Sequence, residues 1–303
     1  MSDAPQTVVL IGNVDHLVAS LRQRLTPTWA VRCVSREASG DAWQADLTSV
    51  AEAEVALASA HTVVVLGRTS RVAARLMQGT AGDLDALLAD TVARAAERVG
   101  AKQLVLWAHG EMDPREALLR TSSVPLRVVR GGQTDAAAAA LAEAITAEKD
   151  ATLDAPAAEV EPALLEGGAG VVSIQRYPVA KGLTASRAAE QYFEGLPSAS
   201  PLTTVERFEG TWRIRIAGVT GLVLQHNPGR SETDSFVLEA VGGALCRVTT
   251  PPARFEFRVL RDGSLVTALI GFTPTLPWPV YRFSQALMHT RSMRRFGDAL
   301  QGT

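Results

Sequence analysis

The sequence lacks several features that would assign it to a specialised class of protein. It has only two cysteines, Cys33 and Cys246, in different halves of the chain, a pattern that favours buried thiols over a disulfide framework. The formal net charge is only −2, so composition gives no reason to expect a nucleic-acid partner. The apolar runs are too short to span a membrane, and the N-terminus lacks a signal-peptide pattern. We therefore predict a cytoplasmic protein with no membrane span.

Motifs for metal, serine or phosphate chemistry are also missing. No GxSxG segment indicates a serine nucleophile, and no GxxxxGK[ST] segment indicates a phosphate loop. The histidines do not form HxH or HExxH pairs or a cluster with cysteine, so we predict no metal. These histidines are His16, His61, His109, His226 and His289.

Glycine is scarce where the first predicted strand ends. Residues 7–11 have the pattern of a buried parallel strand and Gly12 follows directly, but the next glycine is Gly40. A dinucleotide-binding turn needs three closely spaced glycines, for the turn itself, for close backbone approach to the pyrophosphate, and for helix–strand packing. Asp15 adds a carboxylate at the start of the next helix, where a phosphate would bind. The pattern predicts an impaired diphosphate site.

The two halves of the chain follow different patterns. In the first half, short Val- and Leu-rich strands alternate with amphipathic helices, which predicts an α/β doubly wound parallel sheet. The predicted strands are 7–11, 30–34, 62–66, 103–107 and 125–129, and the predicted helices are 15–25, 49–58, 83–99 and 135–148. A Pro-, Ala- and Glu-rich stretch over 150–170 ends in several glycines. We therefore predict domains at 1–168 and 169–303.

The second half has long alternating strands and a closing helix. Asp262-Gly263 predicts a hairpin turn. An antiparallel sheet and one long C-terminal helix then form an α+β grip around a core or a cavity. The apolar stripe of this helix, at helical spacing after Pro279, is Val280, Phe283, Leu287, Met293, Phe296 and Leu300. In the strand around residues 254–258, Arg254, Glu256 and Arg258 alternate with apolar residues. We expect these three charges to face solvent.

The first half resembles the atypical short-chain dehydrogenase/reductase (SDR) family, near the sugar-nucleotide epimerases. The matching stretches are VRCVSR at 31–36, ADLT at 45–48, TVVVL at 62–66, DLDALL at 83–88, GAKQLVL at 100–106 and PLRVVRGG at 125–132. The resemblance implies a Rossmann-like fold. It also implies a remnant cofactor site at Gly12, Arg36 and Asp46, where Arg36 would meet a 2′-phosphate.

The motifs by which this family binds cofactor and transfers protons are not intact. The family's TGxxGxxG is reduced to Gly12, and its YxxxK is absent, because all three tyrosines lie in the other half of the chain. His109, at the end of a strand, is a weak candidate acid. Asp46 has an alternative role as a cap of the following helix, and Arg36 as a solvated loop charge.

The second half resembles the START-like, polyketide-cyclase-like (SRPBCC) helix-grip family. The matching stretches are QYFEGLP at 191–197, ARFEFR at 253–258 and GFTPTLPWPVY at 271–281. The resemblance implies a cavity for an apolar small molecule, with His289 as a weak catalytic candidate at its border. A filled aromatic core is the alternative. The residues that would line the cavity are Trp212, Phe236, Phe255, Phe257, Phe272, Trp278, Tyr281 and Phe283.

Three functions are compatible with these observations. The first is a pseudoenzyme-like vestigial nucleotide fold joined to a domain that binds, and cyclises or isomerises, an apolar small molecule, with no cofactor. The second is an unusual NAD(P)-dependent reductase or epimerase. The third is a non-catalytic subunit that docks a partner enzyme, and a homo-oligomer is compatible with each.

Overall fold

The chain folds into two compact units. The computed structural model describes residues 5–12, 15–26, 28–35, 42–66, 76–108, 113–131, 134–147, 153–154 and 170–301. One unit comprises residues 1–71 and 84–164, and the other comprises residues 72–83 and 165–303. The predicted boundary at 168 and 169 lies outside the described residues.

A seven-stranded sheet organises the described part of the first unit. Each neighbouring pair of strands in it is parallel. Its strands are β1 (Gln6–Ile11), β2 (Trp29–Ser35), β3 (Trp43–Gln44), β4 (Thr62–Val65), β6 (Gln103–Ala108), β7 (Leu126–Arg130) and β8 (Leu153–Asp154). They lie in the order β3-β2-β1-β4-β6-β7-β8. The predicted doubly wound α/β class is confirmed, and all five predicted strands are present.

Helices connect these strands; the first three and the last have bounds within two residues of the predicted helices, and the fourth has no predicted counterpart. They are α1 (Asp15–Leu25), α2 (Val50–Leu57), α3 (Ala81–Arg98), α4 (Pro114–Leu119) and α5 (Thr134–Thr146). A capping box begins α3, because Thr80 and Asp83 each accept the other's backbone N–H at 3.1 Å. The central strands are buried on both faces, as in β4, and this explains their uninterrupted Val-rich sequence.

An eight-stranded sheet organises the second unit. Its strands are β5 (Leu76–Gln78), β9 (Val171–Tyr177), β10 (Thr203–Phe208), β11 (Thr211–Ile216), β12 (Val219–His226), β13 (Ser235–Gly242), β14 (Arg254–Val259) and β15 (Leu265–Phe272). They lie in the order β10-β11-β12-β13-β14-β15-β9-β5. The pairs are antiparallel except that β5 runs parallel to β9. The antiparallel sheet is therefore as predicted, and the DG hairpin joins β14 to β15.

The described part of this unit also has three helices: α6 (Ala185–Ala199) lies between β9 and β10, and α7 (Trp278–Phe283) and α8 (Gln285–Gln301) follow β15. Aromatic rings of α6, α8 and the inner face of the sheet pack edge to face, as Tyr192 does on Phe255 and Phe296 at centroid distances of 5.3 and 5.5 Å. Such pairs add to the stabilisation from apolar burial. They form the core of this unit.

The predicted exposure of three charged side chains is wrong. Arg254, Glu256 and Arg258 are not on a wet face, because only 4%, 1% and 3% of their surface is exposed. Glu256 forms ion pairs with both arginines, at 2.6 Å to Arg258 and 3.2 Å to Arg254. Charged and apolar residues do alternate along this strand, but such a pattern does not exclude burial of both faces of the sheet when the charges are paired.

The predicted single closing helix is two helices. The backbone departs from helical geometry at Ser284, with φ −126° and ψ −81°, so α7 does not continue the apolar stripe of α8. Met293 and Phe296 are buried as predicted, whereas Val280, Phe283 and Leu287 of the same predicted stripe are exposed.

Candidate functional site

The strand order of the first unit reverses at β1. The chain builds β2 and β3 on one side of β1 and then returns to place β4 and the later strands on the other side. Open α/β sheets bind ligands in a crevice at the carboxyl edge beside such a reversal, which here is the edge formed by the ends of β1 and β4. We take this crevice, with the residues at the carboxyl ends of neighbouring strands, as the first candidate site.

Gly12 closes the turn at this crevice. Its backbone N–H donates to the carbonyl of Val34 at 3.1 Å, and its φ is +105°, in the region that favours glycine. A Cβ at this position would lie 2.5 Å from the carbonyl oxygen of Leu66, at the end of β4. Gly12 thus forms the tight turn that the first glycine of a dinucleotide-binding motif forms. The next residues, 13 and 14, lie outside the described chain, and α1 begins at Asp15.

Asp46 is held in the turn that leads into α2. Its Oδ1 accepts the backbone N–H of Thr48 at 3.0 Å and the hydroxyl of Thr48 at 2.5 Å. Its own N–H donates to the carboxylate of Glu52 at 3.1 Å. This is an Asx-type turn that orders the start of the helix. The cap residue of α2 is Ser49, which makes no side-chain cap hydrogen bond, so Asp46 orders the turn before the helix instead of capping it as the alternative predicted.

A buried ion pair lies next to the carboxyl end of β6. Arg115 forms a two-pronged contact with Asp113, at 2.9 Å from Nε to Oδ1 and 2.6 Å from Nη2 to Oδ2, and both side chains are almost fully buried. The same guanidinium donates to the carbonyl of Trp107 at 3.0 Å, and the Trp107 indole donates to the carbonyl of Gly131 at 2.7 Å. These contacts tie β6, α4 and the end of β7 together.

The residues of the crevice fit a nucleotide in part. Gly12 gives a turn with no side chain, and the Asp46 turn presents a fixed carboxylate. Arg36 and His109 lie outside the described residues, although Arg36 directly follows Ser35, the last residue of β2. The segment after β6 forms only the short α4, and the described part of this unit contains no tyrosine.

The predicted cavity residues of the second unit fall into three groups. Four of them, Trp212, Phe236, Phe255 and Phe257, lie in the inner aromatic core, where Trp212 packs edge to face on Phe236 with centroids 5.6 Å apart. Trp278, Tyr281 and Phe272 form a second ring cluster, with Trp278 stacked on Tyr281 at 5.4 Å. Phe283 lies apart, with 73% of its surface exposed. The packing of these rings on one another matches the alternative of a filled core.

A connected polar cluster, which includes His289, lies between the sheet and α8. The Nε2 of His289 is 2.9 Å from the hydroxyl of Ser173 on β9, which also accepts the amide of Gln175 at 2.8 Å. The amide of Gln78 on β5 donates to the carbonyl of Ala286 at 3.1 Å and to the hydroxyl of Thr290 at 2.9 Å. The polar cluster, comprising Gln78, Ser173, Gln175, His289 and Thr290, thus connects β5, β9 and α8.

The imidazole of His289 is neutral near pH 7. Burial lowers its pKa from 6.5 to about 4. The ring lies 6.5 Å from that of Phe255, so it is placed between an apolar ring and a serine hydroxyl. A neutral imidazole can accept or donate a proton in a hydrogen bond to Ser173. Apolar surroundings with a few convergent polar groups are typical of small-molecule sites.

The sequence reasoning found His289 but missed the other members of the polar cluster. The missed signal is in β9, where Ser173 and Gln175 occupy the same face as the apolar Val171 and Tyr177 of the core. Polar residues at inward positions of a strand predict either a hydrogen-bonded network or a ligand contact. Gln78 gave no such signal, because β5 has only three residues.

The described residues contain neither a membrane-spanning helix nor a metal-binding cluster. No helix in the part of the chain that the structure describes is long and apolar enough to cross a membrane. Among the same residues, no group of three or more His, Cys, Asp and Glu side chains could hold a metal ion.

Comparison with known proteins gives matches only among solved structures. No family model and no curated protein matches the chain. The NADP(H) complex of Citrobacter sp. triphenylmethane reductase is 13% identical, with 49% of this chain and 68% of that chain covered and a TM-score of 0.38. Bordetella bronchiseptica WbmG in complex with NAD is 16% identical, with 44% of this chain and 55% of that chain covered and a TM-score of 0.34. UDP-N-acetylglucosamine 4-epimerase from Bacillus cereus is 12% identical, with 49% of this chain and 77% of that chain covered and a TM-score of 0.39.

These matches correct one prediction. The prediction that the protein has no cofactor is contradicted, because two of these structures are complexes with NADP(H) or NAD. The Rossmann-like fold of the first unit is given by its own strand order, which reverses at β1. The chain combines a Rossmann-like parallel sheet with a separate antiparallel sheet.

Proposed function

We propose that the first unit binds NAD or NADP at the carboxyl edge of its parallel sheet, as an atypical SDR-type reductase or epimerase would. The observation that carries this proposal is the reversal of strand order at β1, with Gly12 in a left-handed turn between the ends of β2 and β4. Dinucleotides bind at this point in sheets with this strand order. The loss of the later glycines then weakens binding of the diphosphate without removing the crevice.

The chain offers a residue for each part of such a cofactor. Gly12 and the first backbone N–H groups of α1 would hold the diphosphate, aided by the positive end of the helix dipole. The ordered turn at Asp46 would contact the adenine, and Arg36 would pair with a 2′-phosphate. Asp15 is the first residue of α1, and its negative charge would oppose a diphosphate at this end of the helix.

Hydride transfer would come from the nicotinamide, and the proton would need a donor other than tyrosine. The three tyrosines of the chain belong to the second unit, where burial raises the pKa of Tyr177 and of Tyr281 to about 12. A phenol with this pKa is a poor acid–base group near pH 7. His109, just after β6, is the candidate acid of the first unit.

Titration with NADPH and NADH, followed by nicotinamide fluorescence, tests the proposal. We expect a dissociation constant below about 0.1 mM, equivalent to roughly −5.5 kcal/mol. Arg36→Ala should weaken binding of NADPH by about tenfold and leave NADH unchanged, because only NADPH carries the 2′-phosphate. Absence of binding of both nucleotides at millimolar concentration would overturn the proposal.

A charge substitution at the helix terminus gives a test by gain of affinity. Asp15→Asn should tighten binding of both nucleotides by about two- to fivefold, because it removes a carboxylate from the terminus that faces the diphosphate. Asp135→Asn is the matched control, since it makes the same change in the first turn of α5, which follows β7, two strands from the crevice. Equal effects of the two substitutions would show that net charge alone is responsible.

A second candidate function belongs to the second unit, as the binding of an apolar small molecule in a START-like helix grip. Two observations favour it: the first long strand, β9, lies beside the last, β15, and polar side chains converge on Ser173 within an apolar interior. Native mass spectrometry of freshly purified protein separates the two candidates. A bound mass equal to NAD or NADP supports the first, a lipid-like mass supports the second, and both masses together support both.

A further inference from the structure

The surface of α7 and the start of α8 carries large apolar side chains in contact with water. The exposed fractions are 50% for Val280, 73% for Phe283, 59% for Leu287 and 40% for Met288. They lie within nine consecutive residues, on both sides of the break at Ser284. Single exposed apolar residues are ordinary, but a group of four in one short segment indicates an interaction surface. We call these four residues the apolar corner.

The formally charged side chains along α7 and along α8 as far as Gly297 are all positive. From Trp278 to Gly297 the chain has no Asp or Glu and four arginines, Arg282, Arg291, Arg294 and Arg295. All four arginines are exposed. The guanidinium of Arg282 lies over the ring of Phe283, 5.8 Å from its centroid. The segment is therefore locally cationic, although the whole chain is slightly acidic.

The two kinds of residue share the outer face of α8. Arg291 lies one turn beyond Leu287, Arg294 two turns beyond it, and Arg295 two turns beyond Met288. The opposite face of α8 is buried in the core of the unit through Ala286, Met293, Phe296 and Leu300. The helix is thus held by one face, and the outer face runs from the apolar corner into a row of arginines.

We propose that this surface docks the protein on an anionic lipid membrane. Phe283, Val280 and Leu287 would enter the boundary between headgroups and acyl chains, and the arginines would contact the phosphates and carboxylates of the headgroups. An anionic membrane surface is planar and fluid. It can therefore take up the apolar side chains and contact the separated arginines without a matching pocket. The attachment is peripheral and reversible, in keeping with the absence of a spanning helix among the described residues.

Vesicle co-sedimentation of the full chain tests this proposal. We expect binding to phosphatidylcholine vesicles that contain phosphatidylserine, at least tenfold weaker binding to pure phosphatidylcholine, and loss of binding at high salt. No binding to the anionic vesicles at low salt would overturn the proposal. Equal binding to both kinds of vesicle would also overturn it, because the arginines would then contribute nothing.

Matched variants locate the contact. Phe283→Ser should weaken vesicle binding by about tenfold, whereas Phe208→Ser should not, although Phe208 on β10 is equally exposed at 71%. Arg291→Gln together with Arg294→Gln should weaken binding to anionic vesicles by at least tenfold, at about 1 kcal/mol per charge, and should flatten its salt dependence. Equal losses in the Phe208 and Phe283 variants would show that the surface is not specific.

A second copy of the chain and an acidic protein are the competing occupants. Sedimentation velocity without lipid distinguishes the first, because a dimer that Phe283→Ser dissociates would assign the surface to self-association and overturn the membrane proposal. Binding of soluble polyglutamate as tightly as anionic vesicles would favour an acidic protein and overturn it as well. The proposal concerns only the second unit and survives a failure of nucleotide binding by the first.

Discussion

Two buried polar sites, one in each unit, hold their ionisable groups in opposite ways. In the first unit, Arg115 and Asp113 form a fully charged pair that is directed at the protein's own backbone beside β6. In the second unit, His289 is the titratable member of a network of neutral hydroxyl and amide groups between β9 and α8. The first site therefore depends on a pair of opposite charges, and the second depends on a group that is kept uncharged. Burial of an ionisable group leads to pairing where a partner is at hand and to a shifted pKa where none is.

The largest expected effect comes from breaking the charged pair. Arg115→Met should lower the free energy of unfolding of the first unit by about 3–5 kcal/mol, because the buried carboxylate of Asp113 loses the guanidinium that pairs with it. The exposed pair of Arg120 and Glu116 is the control, and Arg120→Met should cost at most about 1 kcal/mol. Hydrogen exchange of the β6 amides reports the change. Similar losses in the two variants would remove the contrast between buried and exposed pairs.

A smaller effect is expected at the crevice. Gly12→Ala should destabilise the first unit by about 3 kcal/mol, since it combines a positive φ with a Cβ that would contact the carbonyl of Leu66. Gly100→Ala is the matched control, because Gly100 also has a positive φ, of +70°, but no atom lies within 4 Å of its Cβ position. It should cost only about 1 kcal/mol. Thermal unfolding of both variants, followed by circular dichroism, measures the difference.

The smallest effect depends on pH and belongs to the second unit. The unfolded chain protonates His289 near its ordinary pKa of 6.5, whereas the folded chain protonates it only near 4. Between these values the unfolded state binds more protons, so the stability is complete above pH 6.5 and falls as the pH is lowered towards 4. The loss is on the order of 2 kcal/mol.

The substitution His289→Gln isolates this contribution, because glutamine keeps a neutral hydrogen-bonding group. Denaturant titrations at pH 7 and pH 4.5 should show a smaller loss of stability in the variant than in the wild type. An identical pH dependence of the wild type and His289→Gln would show that His289 does not carry the effect.

Strongly periodic segments could be predicted from the sequence, and short or paired features could not. The five strands from 7–11 to 125–129 and the long helix α3 have enough residues for a clear apolar pattern, and the structure places each as expected. The two-residue strands β3 and β8 have no period to detect. The exposure of Phe283 depends on the backbone break at Ser284, which no residue pattern around it indicates.

The candidate sites could be predicted only where a single residue carries the geometry. Gly12 was identified from its place after β1, and the structure gives it the expected turn. Ser173, which contacts His289, lies 116 residues away along the chain. Gln78 of β5 contacts the neighbouring Thr290 from 212 residues away, so only the folded topology brings this cluster together. Burial of Arg254 and Arg258 likewise depends on Glu256 pairing with both, which the alternating pattern alone does not reveal.

The assignment of β5 to the second sheet affects how the protein can be divided and synthesised. Residues 72–83 join a unit whose remaining strands begin only at β9, so this unit is discontinuous in sequence. During synthesis on the ribosome, β5 emerges long before β9 and must wait for its partner. A fragment that starts at residue 170 would leave one side of β9 without its hydrogen-bonded neighbour, and such an open edge promotes aggregation. A soluble fragment would need β5 supplied as a grafted segment or by circular permutation.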